Sequence, residues 1–281
     1  MAKVYDALRR AEEERKRRSG APSTAPSTPL DFEPARPQAK AQTTRPSLWK
    51  RLLASAGSSE PTGDFNKRRI SLLQPDSYVA EQFRSLRGRI DALSAQRPIR
   101  TIAVTSPLSG EGKTTAAINL AVVTSLSLGR RVLLIDCDLR KPKIHQALGL
   151  RPEAGLAEVL CDEVSLDSAI LKVEGMNLEV LAVRGKPPNP SELLSSPRMR
   201  DLVEEVARRY DRVILDTPAA LGVPDAKAVA ELCDGLILVV RADVTPHNEI
   251  EAALEILDRR RLLGLVLNGA HVEQGRYGYV T

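Results

Sequence analysis

From about residue 70 onward, short continuous apolar runs alternate with longer mixed stretches. The runs are Thr101–Thr105, Arg131–Asp136, Asn177–Val183, Arg212–Asp216, Gly235–Val240 and Leu262–Leu267. Most carry no polar residue in their interior, so each strand is expected to be buried on both faces. That predicts an α/β body with a mainly parallel sheet covered by helices on both faces. Ser77–Leu93 spaces Tyr78, Phe83, Leu86, Ile90 and Leu93 as one apolar side of an amphipathic helix. Ala116–Val123 is apolar, has no breaker before Gly129, and is predicted as a second, buried helix.

The pattern changes before residue 70. Residues 1–18 are strong helix formers with Val4, Tyr5, Leu8 and Ala11 at helical spacing, a narrow stripe that suits a partner, the body or solvent alike. Residues 19–69 are expected to be a disordered basic linker, rich in Pro, Ser, Thr and Ala through residue 46. Near its end Leu48, Trp49, Leu52 and Leu53 flank Lys50 and Arg51, a patch suited to an anionic membrane surface or a partner groove, though short enough to be incidental. The predicted division is therefore an N-terminal helix (1–18), a linker (19–69), a folded domain (70–270) and a flexible tail (271–281).

Composition changes this picture in one respect. The formal charge of +5 is uneven: residues 1–69 hold 15 Lys and Arg against 8 Asp and Glu, and the remainder holds 26 against 28. The body is slightly acidic, so the basic balance does not imply a nucleic-acid partner. Three distant cysteines with no Cys-x-x-Cys pair argue against a disulfide framework or a zinc site. No apolar run reaches membrane-spanning length and no leader-like segment opens the chain, so the cytoplasm is the expected compartment.

The candidate chemistry centres on Ser106-Pro-Leu-Ser-Gly-Glu-Gly-Lys-Thr-Thr115, between a predicted strand and a predicted helix. Gly110 and Gly112 let backbone N–H groups turn towards an anion at the positive end of the helix. Lys113, read as lying on a solvent-facing loop, is placed to reach β- and γ-phosphates, and the Thr114 hydroxyl to ligate Mg²⁺. Pro107 stands where the strict phosphate-loop pattern has its first glycine. Two other strands end in acids, Asp136 followed by Asp138, and Asp216. Carboxyl ends of parallel strands are where ligands collect, so the three are read as Mg²⁺ and water ligands plus a base. In the first helix, Glu81, Arg84 and Arg87 recur every three residues, a spacing that allows pairing within the helix or across to another subunit.

Gly110-Glu-Gly-Lys-Thr-Thr115, Leu133-Leu-Ile-Asp-Cys-Asp-Leu-Arg140 and Ile214-Leu-Asp-Thr-Pro218 together resemble the Walker A, A′ and B motifs of the bacterial tyrosine kinases of the cytoplasmic CpsD/CapB type. Pro187–Leu194, Asp234–Val240 and Leu265–Asn268 are similar to further stretches of that family, and the Glu81/Arg84/Arg87 spacing to its oligomerisation motif. The resemblance runs from about residue 70 to the end. It implies a P-loop NTPase fold of the MinD/ParA-like type and an ATP- and Mg²⁺-dependent protein-tyrosine autokinase. It also implies regulation of capsular or extracellular polysaccharide polymerisation and export.

By the same resemblance Asp136 is the candidate base, while Thr114, Asp138 and Asp216 hold the metal. Ser109, Gly110, Glu111, Gly112, Lys113, Thr114, Thr115 and Asn268 contact nucleotide, and Tyr277 and Tyr279 are the phosphoacceptors, few for this family. The implied partners are further copies in a ring, a membrane-embedded chain-length regulator that activates the kinase, and a cognate tyrosine phosphatase. The regulator would hold the chain at the inner face of the plasma membrane. A ParA/MinD-like ATPase switch is the first alternative, weakened because Leu108 stands where that group's signature lysine falls. A non-catalytic nucleotide-binding adaptor is the second.

Overall fold

The structure is a computed structural model that describes Gln74, residues 77–127 and residues 129–270. The N-terminal helix, the whole of the linker, and the tail with Tyr277 and Tyr279 lie outside the described residues. In chain order the elements are α1 (Tyr78–Ser94), β1 (Thr101–Thr105), α2 (Lys113–Ser125), β2 (Val132–Asp136), α3 (Ile144–Leu148), α4 (Leu156–Leu160), α5 (Leu166–Ala169) and β3 (Ile170–Lys172). They continue with β4 (Leu178–Leu181), α6 (Pro190–Leu194), α7 (Pro197–Arg209), β5 (Arg212–Asp216), α8 (Asp225–Ala230), β6 (Gly235–Arg241), α9 (His247–Ile256), a 3-10 turn at Arg259–Arg261 and β7 (Leu262–Asn268).

The strands form a seven-stranded sheet ordered β3-β4-β2-β5-β1-β6-β7. Every pairing is parallel except β3 with β4. The short edge strand β3 has no counterpart among the apolar runs: Ile-Leu-Lys is too brief to signal itself and is recruited by pairing with β4.

Alternation along the central strands sends side chains to two separate cores, as burial on both faces requires. Ala103, Leu133, Ile135, Val213, Leu215, Leu236 and Leu238 face α4, α7 and α8, where Leu156, Met199, Leu202 and Val229 close over them. Ile102, Val104, Val132, Leu134, Ile214, Ile237 and Val239 face α1, α2 and α3. In α2 the buried set from Ala116 to Val123 is continuous, because the helix is wedged between the sheet and α1. Each such Leu or Ile contributes roughly 1.5–3 kcal/mol by leaving water.

Local signals set the ends of the elements. The Ser77 hydroxyl accepts from the Ala80 N–H and starts α1, and Ser196 does the same for α7 at Met199, with Pro197 at the first helical position. The apolar side expected for α1 is used only in part. Ala80 and Ile90 are buried with Phe83 and Leu86 beside them, whereas Tyr78 and Leu93, in the first and last turns of the helix, are exposed.

Candidate active site

Three neighbouring central strands, β2, β5 and β1, end side by side. In register, Asp136 pairs with Asp216, and Asp216 with Val104 at the start of the glycine-rich loop. Parallel pairing therefore gathers onto one edge three motifs far apart in sequence.

The loop leaves β1 in extended form. The Ser106 carbonyl accepts from the Ala220 N–H at 2.8 Å and the Pro107 carbonyl from Leu221 at 3.2 Å. Proline is tolerated here because neither a positive φ nor its own N–H is used. Positive φ is needed later, at Gly110 (91°) and Gly112 (96°). At Gly112 a Cβ would also collide with the Asn268 amide. Asn268, at the end of β7, donates to the Glu111 carbonyl at 2.8 Å. The Glu111 carboxylate is buried within the loop, where it accepts from the Leu108 N–H at 2.8 Å and from the Thr245 hydroxyl. Ser109 and Gly110 are exposed at the rim, and Thr114 and Thr115 are half-buried in the first turn of α2.

Lys113 does not lie on a solvent-facing loop. It opens α2, is 8% exposed, and its Nζ sits 2.8 Å from Asp138 Oδ2 and 4.0 Å from Asp216 Oδ1. Burial works against its charge, but the pull of Asp216, Asp138 and Asp136 outweighs burial and raises its pKa above the ordinary lysine value. Asp136 is fully buried; its Oδ2 accepts the Lys143 and Ile144 N–H groups, both at 3.1 Å, and its Oδ1 the Asp138 N–H at 3.2 Å. Burial first, then repulsion from Asp216, pushes its pKa up to about 8 despite the Ile144 N–H and Lys113. Asp138 Oδ1 accepts the Lys141 N–H at 3.0 Å. Three acids thus share one lysine at the mouth of an anion-binding loop, in a setting that favours phosphate on one side and a cation on the other.

A family described as AAA domain matches residues 99–259. The tyrosine-protein kinase YwqD of Bacillus subtilis is 40% identical over 74% of this chain and 90% of its own length. The chain belongs to the bacterial tyrosine kinases. The kinase domain of the Escherichia coli tyrosine kinase Etk superposes with a TM-score of 0.67 at 31% identity, covering 75% of this chain and 84% of that one. The succinoglycan biosynthesis transport protein ExoP of Rhizobium meliloti is 37% identical over 74% of this chain but only 27% of its own length. The fold is also that of the Pyrococcus furiosus cell division ATPase MinD, with a TM-score of 0.51 at 26% identity over 60% of this chain and 71% of that one.

Within this kinase fold the donors at the site are all oxygens. Among the described residues no three His, Cys, Asp or Glu side chains form a ready metal cage. The oxygen donors are the kind that fit Mg²⁺, which keeps waters and substrate phosphates and takes only one or two protein carboxylates. None of the described helices is long and apolar enough to cross a membrane.

On α1 the Glu81–Arg84 pair forms within the helix, and Arg87 donates to the Val123 carbonyl near the end of α2 at 2.6 Å. Of the described tyrosines, Tyr210 is buried, donates to Glu179, and has its pKa driven up by burial and that bond. Tyr78 is 45% exposed.

One group went unrecognised in the sequence. Arg140, two residues past Asp138, pairs with the buried Asp225 at 2.8 Å and reaches the Ser191 hydroxyl at 2.8 Å, tying the loop after β2 to α6 and α8. Asp225 follows Pro224 in an ordinary helix start, and nothing local marks it.

Proposed function

We propose that this chain is an ATP-dependent protein-tyrosine autokinase that phosphorylates Tyr277 and Tyr279 on the tail of a neighbouring copy and thereby regulates the polymerisation and export of a capsular or extracellular polysaccharide. The observation that supports it best is the cluster of Lys113 with Asp136, Asp138 and Asp216 beside the glycine-rich loop, in a chain of this family. The link to polysaccharide rests on the naming of ExoP as a succinoglycan biosynthesis transport protein.

In this mechanism the tyrosine oxygen forms a bond to the γ-phosphorus as the bond to the β-phosphate oxygen breaks, and ADP leaves. The phenol carries its proton at neutral pH, its ordinary pKa being about 10. Asp136 takes that proton on Oδ1, the oxygen bearing a single N–H, and its pKa of about 8 suits a base working near neutrality. Lys113 exchanges its carboxylate partners for phosphate oxygens, and the loop amides and Thr115 hold the nucleotide in line. Mg²⁺, when it accompanies the nucleotide, neutralises phosphate charge and would be held by Thr114, Asp138 and Asp216. Asn268, braced against Glu111, borders the nucleotide base, while Ser109, Gly110 and Gly112 approach the phosphates through their backbone. The ring assembled through Glu81, Arg84 and Arg87 and the membrane-embedded activator belong to the same proposal, as does the phosphatase that resets the tail.

The test is a mixing experiment with labelled ATP. A Lys113→Met protein that keeps its tyrosines is combined with an active protein carrying Tyr277→Phe and Tyr279→Phe. Label is expected on the Met variant alone, at a rate that rises with concentration. Release of free phosphate without tyrosine label would instead favour an ATPase switch, and binding without turnover an adaptor. Full labelling of the double-Phe protein by itself would move the acceptor to one of the remaining tyrosines, Tyr5, Tyr78 or Tyr210, with exposed Tyr78 ahead of buried Tyr210.

A further inference from the structure

Thr245 belongs to none of the motifs read in the sequence, yet two segments far apart in the chain meet at its hydroxyl. It lies on the turn between β6 and α9, where Asp243 takes a φ of 57° and the Val244 and Thr245 N–H groups both donate to the Arg241 carbonyl, at 3.3 and 3.0 Å. Asp is one of the few residues besides glycine that enter this region readily. The turn brings the Thr245 side chain back to the end of β6, where its hydroxyl accepts from the Arg241 N–H at 3.0 Å and donates to the Glu111 carboxylate.

From Glu111 the bonds run on in a closed circuit. Its carboxylate also accepts the Leu108 N–H at 2.8 Å, and its backbone carbonyl accepts the Asn268 amide at 2.8 Å. The Asn268 carbonyl accepts the Ala242 N–H at 2.8 Å, which returns to the turn that carries Thr245. Polar groups therefore close the glycine-rich loop, the end of β6 and the end of β7 on one another. Thr245 is part of neither apolar core, and Arg241, Asp243, Val244 and Pro246 around it are exposed.

Glu111 is only 4% exposed. A buried carboxylate is tolerated only while its oxygens have donors, and taking one donor away costs the full desolvation of the oxygen left behind. Without the Thr245 hydroxyl the loop relieves that cost by turning Glu111 out to water. The Leu108 N–H is then released, and the backbone that Gly110 and Gly112 bend towards an anion loses its brace.

We propose that Thr245 is a positioning residue for nucleotide binding: by holding Glu111 inward it keeps the glycine-rich loop in its phosphate-cradling shape and ties that shape to the ends of β6 and β7. The role rests on the nucleotide site of the proposed function. Thr245 acts through Glu111 and not by touching the nucleotide.

Two measurements on the full chain test it. Amide exchange followed by NMR needs no nucleotide. Thr245→Val keeps the shape of the side chain without its hydroxyl, and should speed exchange of the Leu108 N–H about tenfold while the urea midpoint stays at the wild-type value; Thr245→Ser should restore protection. In calorimetric titration with Mg·ADP, Thr245→Val should bind about tenfold more weakly and Thr245→Ser within about twofold of wild type. Placed in a Glu111→Ala chain, Thr245→Val should weaken binding no further, because its route is already gone. Val244→Ala, at the exposed neighbour, should bind as wild type does. Unchanged exchange at Leu108, equal loss in Thr245→Ser, or a further loss in the Glu111→Ala chain would each overturn the role, and a lowered urea midpoint with exchange faster throughout would reduce Thr245 to a support of the fold. Absence of ADP binding by wild type would instead remove the nucleotide site of the proposed function, and Leu108 exchange would still decide whether Thr245 holds the loop.

Discussion

Two ionic clusters occupy opposite ends of the same strand, and they are built on different principles. At the amino end of β5, Arg212 is 5% exposed and donates to Asp91 at 3.0 Å, to the Ile99 carbonyl and to the Ser94 hydroxyl. Asp91 is shared with Arg130 at 2.7 Å, so α1, β5 and the turn before β2 are tied together. At the carboxyl end Asp216 lies with Asp136 and Asp138 around a single lysine. The first cluster answers a buried cation with the protein's own acceptors and serves the fold. The second gathers like charges in a buried place, where burial first and then repulsion from Asp216 lifts the Asp136 pKa, an arrangement that costs stability and is relieved when phosphates and a cation enter.

The sharpest way to break this comparison is Lys113→Met. Tyrosine labelling should fall by about a thousandfold or more, since the residue stabilises charge that develops during transfer. The same variant should lose roughly 2–3 kcal/mol of stability at pH 7, because it leaves the carboxylates without their shared cation, and should recover on acidification. Urea unfolding at both pH values checks this, and unchanged stability would mean that the lysine is not structurally engaged with the acids.

Arg212→Met tests the other end. It should cost about 3 kcal/mol, since Asp91 and the Ile99 carbonyl lose a buried partner, while nucleotide affinity measured by titration stays at the wild-type value. Weakened nucleotide binding in a folded Arg212→Met protein would show that the two ends are not independent.

The third prediction concerns pH. The folded pKa of Asp136 is raised to about 8 from an ordinary 3.8, so the folded chain holds this proton more tightly than the unfolded one. Its contribution to stability is therefore complete below about pH 4 and lost as the pH rises through 8. Wild type should show this downward slope and Asp136→Asn should not, and the labelling rate of wild type should climb over the upper part of the same range. A flat rate from pH 6 to 9 would remove Asp136 as the base.

The smallest effect is expected on α1. Replacing Glu81, Arg84 and Arg87 with Ala should change monomer stability by only about 1 kcal/mol, because one pair is exposed and the Arg87 bond to Val123 is a single contact. The mass seen by light scattering should drop if these residues bridge subunits. An unchanged mass would confine them to their contacts within the chain.

Much of this was legible before any coordinates. Short apolar runs rich in β-branched residues read as strands buried on both faces and gave the parallel sheet, but β7, at the edge of that sheet, leaves Leu265 and Leu267 exposed because no further strand or helix of the described residues covers them. Gly-x-Gly-Lys-Thr between strand and helix placed the loop because few residues other than glycine adopt the φ values found at positions 110 and 112. Asp136 and Asp216 were readable as a pair because each ends such a strand. Strand order was not readable: nothing local states that β5 lies between β2 and β1, yet that order is what brings the acids to Lys113. Nor could composition foretell that Lys113 would be buried and paired, that Glu111 would turn inward to meet Thr245, or that Arg140 would find Asp225. Periodicity and glycine placement act on the chain's own backbone, so the sequence determines them alone. Charge pairing and pKa depend on what distant segments bring within a few ångströms, and only the tertiary structure decides that.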